Sequence, residues 1–364
     1  MKTLGIGILS SVLMLSFLTG PSAAQQDPGN GQDTTNLIDF TIFPRTDPFQ
    51  SDEIIKISLK FDLKTFIRTK HKEEYLPAEL TICNLDPDTI RKNIRVRARG
   101  ITRKSICYLP PIKLNFKESE TGSDSLDDIS SLKLVTHCKN SDTYEQYVFK
   151  EFLVYRMYNL LTDSSFRVKL LRIDYLDSEE RMKPMTRYGF MIESYSGLAE
   201  RLQGIRLERS GVNTWDTDTY HTNLMAVFQY MIGNTDWAIP VPHNFKLVKP
   251  LEPLSRILAI PYDFDYSGMV NTVYAVPDVN LNIESVRVRV YRGFCLPAKE
   301  DYQRLFNVFI KNKQAMFSLV ENFELLNKKS KREMTEYLAA FYEIIETPWR
   351  AEREIIASCR PLPR

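Results

Sequence analysis

The chain lacks several patterns that would name an activity directly. Cys-x-x-Cys is absent and the cysteine spacings match no zinc pattern, which removes the common structural zinc sites. There is no G-x-S-x-G, so Ser-His-Asp hydrolysis has no nucleophile elbow to support it. No G-x-G-x-x-G occurs, so any phosphate must be cradled by other groups. An excess of one charge is missing too: 48 Lys and Arg face 46 Asp and Glu, a net charge of +2. Such a balance leaves no global basic footprint for nucleic acid, and no known reader motif appears. No internal repeat is visible, and past residue 18 no apolar run is long enough to cross a bilayer. Collagen, coiled coil and polytopic membrane protein are excluded.

What is present is the material of a globular protein. Of its 364 residues 43% are hydrophobic and 26% charged, enough to build a sizeable core without staples. Residues 1–24 are expected to be a cleaved signal peptide. Lys2 supplies the positive start, residues 4–18 form an uncharged apolar stretch, and Ser22 and Ala24 precede the cut. Residues 25–35 hold almost nothing to bury and are expected to be a mobile leader. The mature chain is therefore expected to be secreted or periplasmic, with no transmembrane span. Five cysteines follow: Cys83, Cys107, Cys138, Cys295 and Cys359. An oxidising compartment permits disulfides, and an odd count leaves one thiol over. Cys107 and Cys138 are the preferred pair, because they flank two apparent strands that a hairpin would join. The alternative is that all five are small buried hydrophobes.

Period-two alternation marks strands at 54–61 (IIKISLKF), 79–84, 94–98, 113–116 and 132–137, then at 168–175 and 188–193. Between them, 144–161 carries apolar residues at helical spacing, and 117–128 is a polar surface loop. Arg95, Arg97 and Arg99 alternate and so share one strand face, either solvated or facing an anion. The second half changes character. An apolar helix over 219–233 ends at Gly233 and Asn234, short strands follow at 245–248 and 257–261, and helices over 299–326 and 330–356 finish the chain. This order predicts an α+β protein, with a boundary near 194–197.

The densest polar constellation is Asn234, Asp236, His243 and Asn244, followed by Asp263 and Asp265. If 245–248 and 257–261 run as neighbours, Asn244 at the start of one meets Asp263 at the end of the other. Hard oxygen donors converging there suit Mg²⁺, with phosphate and water completing its shell. Asp236, at the exit of a rigid helix, can orient or deprotonate a hydroxyl beside the bound phosphate. His243 is expected to be only a hydrogen-bonded loop residue. The bland counterparts are a turn at Asp263-Phe264-Asp265 and a backbone-capping Asn244.

These residues lie in the runs GNTDWAIPVPHN and PYDFDYSG. Together with VRARGITRKS, PPIKLNF and YGFMIESY in the same order, they resemble the CotH-type spore-coat kinases, an atypical protein-kinase-like family. The resemblance spans roughly residues 52–295. It implies a two-lobed fold, with a β-rich N-terminal lobe over 36–194 holding one long helix and a mainly helical C-terminal lobe over 195–364. It implies ATP and Mg²⁺ or Mn²⁺ as cofactors. Lys113 would meet the nucleotide phosphates, with Lys133 as a rival, held by Glu151 or alternatively Glu145. Arg99 and Ser105 would line a phosphate-facing turn at Gly100, and 192–194, including Glu193, would meet the adenine edge. Asp236 would be the catalytic carboxylate, with Asn244 and Asp263 as metal ligands and Asp265 as a further acid. The implied activity passes the γ-phosphoryl of ATP to a hydroxyl, Ser or Thr of a secreted or envelope protein, with no nucleic-acid partner and the oligomeric state unspecified. The alternatives are an inactive kinase-like surface protein that only binds, and a metal-dependent phosphohydrolase using Asp263 and Asp265.

Overall fold

Alternating apolar side chains in the first half of the chain give strands whose inner faces meet around a common axis. The structure, a computed structural model, describes residues 48–83, 89–116, 131–208, 211–239 and 243–361. The expected signal peptide, the leader and the loop at 117–128 lie outside the described residues. Seven strands form the first part: β1 (Ile55–Phe61), β2 (Leu76–Ile82), β3 (Ile90–Ala98), β4 (Ile112–Asn115), β5 (Ser131–Val135), β6 (Val168–Asp177) and β7 (Met185–Ile192). They close in the order β1-β2-β3-β4-β5-β7-β6. All neighbours are antiparallel except the closing pair, where β1 runs parallel to β6 with Ile57 opposite Ile173 and Leu59 opposite Tyr175. Leu59, Val96, Ile112, Leu134 and Ile173 fill the interior, and closure leaves this sheet no unpaired edge.

This closed mixed barrel overturns the two-lobed kinase-like fold that the resemblance implies; only the α+β mixture holds. The cause lies in β1 and β6, which pair along seven residues each and seal an open sheet into a ring. Packing, moreover, does not break at residue 194. The outward faces of β5, β6 and β7 (Val135, Val168, Leu170, Phe190 and Ile192) share one apolar cluster with helices from both halves.

Three helices lie near the barrel, and two of them carry residues of the site. Short α1 (Leu63–Thr69) and α2 (Thr102–Ile106) follow β1 and β3, and α3 (Asp142–Leu161) lies against the outer wall. Almost every residue of α3 from Val148 to Leu161 is buried, Lys150 and Glu151 included. Ionised side chains in such a position need partners. Lys150 finds Glu333 at 2.6 Å, and Glu151 finds Arg103.

The second half comprises α4 (Tyr195–Arg201), β8 (Gly204–Leu207), α5 (Thr219–Ile232), β9 (Phe245–Pro250), β10 (Leu258–Pro261), α6 (Lys299–Glu321), α7 (Lys328–Glu346) and α8 (Pro348–Ala351). Strands β10, β9 and β8 form a separate antiparallel sheet. Helix α5 is capped by Asp218, whose carboxylate accepts from His221 N, and ends at Gly233 with φ +65°. A Cβ there would meet the Tyr337 hydroxyl at 2.0 Å, so both conformation and space require glycine.

Cys107 is bonded to Cys138 as expected, and Cys295 to Cys359, leaving Cys83 as an exposed thiol. Among the described residues no helix is long and apolar enough to cross a membrane.

Candidate functional site

The register of β9 and β10 sets the site's geometry. Pro261 pairs with Phe245, and Tyr262 N donates to Asn244 O at 2.9 Å, so Asn244 and Asp263 emerge at the same end of the two strands, as the apolar flanks predict. Both residues have left-handed backbone, φ +58° and +67°, where Asn and Asp are the most tolerated residues after glycine. The turn at Asp263 is anchored by its N–H, which donates to the buried Tyr155 hydroxyl on α3 at 2.8 Å.

Asp236 joins this group through Asn244. The Asn244 Nδ2 donates to both the Asp236 carbonyl and its Oδ2 at 2.8 Å. The other carboxylate oxygen, Oδ1, lies 2.8 Å from His243 Nε2, and Asn234 Oδ1 accepts from Asp236 N at 3.0 Å. His243 is thus a hydrogen-bonded loop residue as expected, and its partner is the candidate catalytic carboxylate. With its amide nitrogen spent on Asp236, Asn244 has its amide oxygen left to offer a cation.

Beneath Asp263 lies a buried ionic cluster. The guanidinium of Arg103, on α2, places Nη2 2.7 Å from Glu151 Oε2 and Nε 2.7 Å from Asp265 Oδ2; Nη2 is 3.6 Å from Asp263 Oδ1. Tyr274 donates its hydroxyl to the same Asp265 oxygen at 3.0 Å. One oxygen from each of Glu151, Asp263 and Asp265 lies within 4.8 Å of the others. Burial pushes the Glu151 and Asp265 carboxyls up; Arg103 pulls them back down, and the neighbouring carboxylates push up again. Three carboxylates facing one guanidinium cannot all ionise cheaply, so the isolated cluster retains a proton or takes up further positive charge. Burial raises the pKa of the Tyr266 hydroxyl, and the charges of Asp265 and Asp236 add to that shift.

Glu151 is therefore where the sequence puts it, but its partner is Arg103 and not Lys113. Glu145 lies elsewhere on α3, accepting from Tyr188 N at 2.8 Å. Lys113 on β4 stands directly opposite Lys133 on β5, and Lys133 reaches over the Tyr262 ring, 4.7 Å from its centroid, one residue before Asp263. The rival Lys133 is thus beside the site, with Lys113 next to it across the strand pair. Arg99 follows β3, where its N–H donates to Pro111 O at 2.8 Å, whereas Ser105 is exposed on α2. Arg95 and Arg97 both stack on Tyr75.

Glu193 has a structural task. Arg201 Nε and Nη2 grip its two carboxylate oxygens at 2.9 and 2.8 Å, and its N–H donates to Arg167 O. Ser194 caps α4 by accepting from Gly197 N. The polar groups expected at an adenine edge are thus engaged in the fold. A cavity of about 240 Å³ lined by Asp52, Arg156, Asn159, Arg167 and Arg201 shares no residue with the carboxylate cluster. Its Arg156 is paired with Asp52 at 2.6 Å, and Arg201 with Glu193.

Sequence reasoning missed Arg103, Tyr155, Tyr274 and Arg292. Arg103 stands three residues past Gly100 in VRARGITRKS, the run in which Arg99 and Ser105 are expected to face the phosphates. Arg292 had no sequence signal: the tertiary fold brings it over the Trp237 ring at 5.7 Å, where it donates to Thr235 O and lies within electrostatic reach of Asp236. No family model and no curated protein matches this chain.

Proposed function

We propose that the chain is a divalent-metal-dependent phosphotransferase acting at the Asp236–Asn244–Asp263 end of β9 and β10. The supporting observation is that Asn244 hydrogen-bonds Asp236 directly while Asp263 follows Tyr262, whose N–H donates to Asn244 O, although 27 positions separate Asp236 from Asp263. Asn244 and Asp263 offer hard oxygens suited to Mg²⁺ or Mn²⁺, with Asp265 behind them. Such an ion, once bound with ATP, supplies charge neutralisation on the phosphate oxygens.

The residues of the chain do the rest. Asn244 and His243 fix the Asp236 carboxylate, which accepts the proton of an acceptor hydroxyl as its oxygen bonds to the γ-phosphorus. The bond from that phosphorus to the ADP oxygen breaks, and ADP leaves with the electron pair. Lys113 and Lys133 present positive charge on the adjoining barrel wall for the phosphates. The acceptor is a Ser or Thr hydroxyl of an exported protein; the two disulfides, which belong to oxidising compartments, accord with the export reading. The resemblance to CotH-type kinases supports this chemistry through its motifs, independently of the fold it implied.

Transfer of label from γ-labelled ATP to protein acceptors, with Mg²⁺ or Mn²⁺, tests the proposal. Incorporation should depend on the metal and fall more than about a hundredfold in Asp263→Ala and Asp236→Asn, the scale of lost transition-state stabilisation. Equal labelling by the variants overturns it. Nucleotide binding without transfer identifies the inactive binding protein, and phosphate release without acceptor labelling identifies a phosphohydrolase.

A further inference from the structure

Glu151 does not behave like a carboxylate whose only task is an ion pair. It is 2% exposed on a helix buried on nearly every side. Its Oε2 takes Arg103, while its Oε1, equally inaccessible, has no hydrogen-bond partner among the described residues. A buried carboxylate oxygen without a partner carries its full desolvation penalty, and such exceptions call for an unseen ligand. The neighbouring groups indicate which kind. The ligand-capable oxygens of Glu151, Asp263 and Asp265 gather within 4.8 Å, against about 4.2 Å between opposite ligands of an octahedral Mg²⁺. Three carboxylates around one guanidinium carry a surplus of negative charge once ionised, which a divalent cation would offset.

We propose that Glu151, Asp263 and Asp265 hold a divalent cation of their own, with Arg103 and Tyr274 as positioning residues that fix the carboxylates around it. Arg103 stays in the cluster: it binds Glu151 through Oε2 and Asp265 through Oδ2, where Tyr274 also donates, so the opposite oxygens remain for the ion. The donor set is entirely hard oxygen, which selects Mg²⁺ or Mn²⁺ over thiolate-seeking metals. Glu151 rides on α3, the Asp263 N–H is tied to Tyr155 on that same helix, and Arg103 sits one turn before the Cys107–Cys138 disulfide. Asp263, about one-third exposed, is common to this site and to the Asn244 side, so it would bridge a deep ion to the one carried by the nucleotide. For its purpose this inference rests on the phosphotransfer reading, but the ion itself needs no nucleotide.

The test is Mn²⁺ titration of the full chain without nucleotide, followed by calorimetry and by the paramagnetic signal of the free ion. The expected result is one saturable site on the unmodified protein and on Glu145→Gln, whose carboxylate is elsewhere on α3. Glu151→Gln and Asp265→Asn should each weaken it more than about tenfold, with circular dichroism verifying that each variant is folded. Should Glu151→Gln not fold, Asp265→Asn and the Mn²⁺-induced rise in melting temperature of the unmodified chain carry the same decision. Absence of saturable Mn²⁺ binding by the unmodified chain overturns the proposal, as does unchanged affinity in the folded variants. Neither result bears on metal that arrives with ATP, so the phosphotransfer reading stands or falls separately.

Discussion

The guanidinium of Arg103 and the carboxylate of Glu151 lie 2.7 Å apart, both buried, and tie a five-residue helix to the twenty-residue helix on the barrel wall. The same guanidinium holds Asp265, so one cation organises the start of the loop after β10. This couples barrel, long helix and candidate site into one electrostatic unit. Its stability and its chemistry should respond to the same substitutions.

Removing the cation leaves buried carboxylates uncompensated. Arg103→Ala should therefore cost about 3–5 kcal/mol in urea unfolding, the range for breaking a buried pair from one side. Arg103→Lys should recover only part of this, because an ammonium cannot present two donors in the fixed fork that reaches Glu151 and Asp265 together. A loss under about 1 kcal/mol for the alanine variant would contradict the assigned role.

The Cys107–Cys138 bridge closes a loop with a sequence separation of 31 and lies just past Arg103. Its removal by Cys107→Ala with Cys138→Ala should cost roughly 3–4 kcal/mol through the freed unfolded chain. Alkylation of the unreduced, denatured protein should label Cys83 alone, and reduction should expose all five cysteines. More than one labelled thiol before reduction would refute the pairing.

His137 is fully buried beside Tyr175, and neither ring nitrogen has a partner among the described residues. Burial, helped by the charge of Arg187, lowers its pKa from 6.5 to about 4. The unfolded chain thus takes up the proton before the folded one does. Its contribution is full above pH 6.5 and is lost as pH falls toward 4, by about 3 kcal/mol. His137→Phe should flatten that part of the stability profile, measured by denaturation at pH 4.5 and 7. An unchanged slope would show that His137 does not titrate in this window.

Much of this architecture was legible because it is local. The alternation of IIKISLKF gave β1, the stripe from Tyr144 onward gave α3, and the Gly233-Asn234 pair marked the end of α5. The meeting of Asn244 and Asp263 followed from two apolar runs that had to pair. Closure of the barrel was not legible, since the parallel contact of β1 with β6 joins Leu59 to Tyr175 and no local pattern encodes a partner so distant. Short β8, with one glycine and one exposed isoleucine in four residues, carried too little alternation to stand out. The resemblance points to Glu151 as the carboxylate on α3 that holds a lysine, whereas the structure buries it and pairs it with Arg103. A lysine on a strand and an arginine on a one-turn helix are equal in charge, and only the tertiary fold decides which reaches it.

Equilibrium binding of Mg²⁺–ATP to the full chain, by calorimetry and by thermal denaturation, tests the account most directly. It predicts metal-dependent binding at a single site, a stabilisation of about 2.7 kcal/mol at a hundred times the dissociation constant, and loss of both in Asp263→Ala. No binding, or the same affinity in Asp263→Ala as in the unmodified chain, would contradict it.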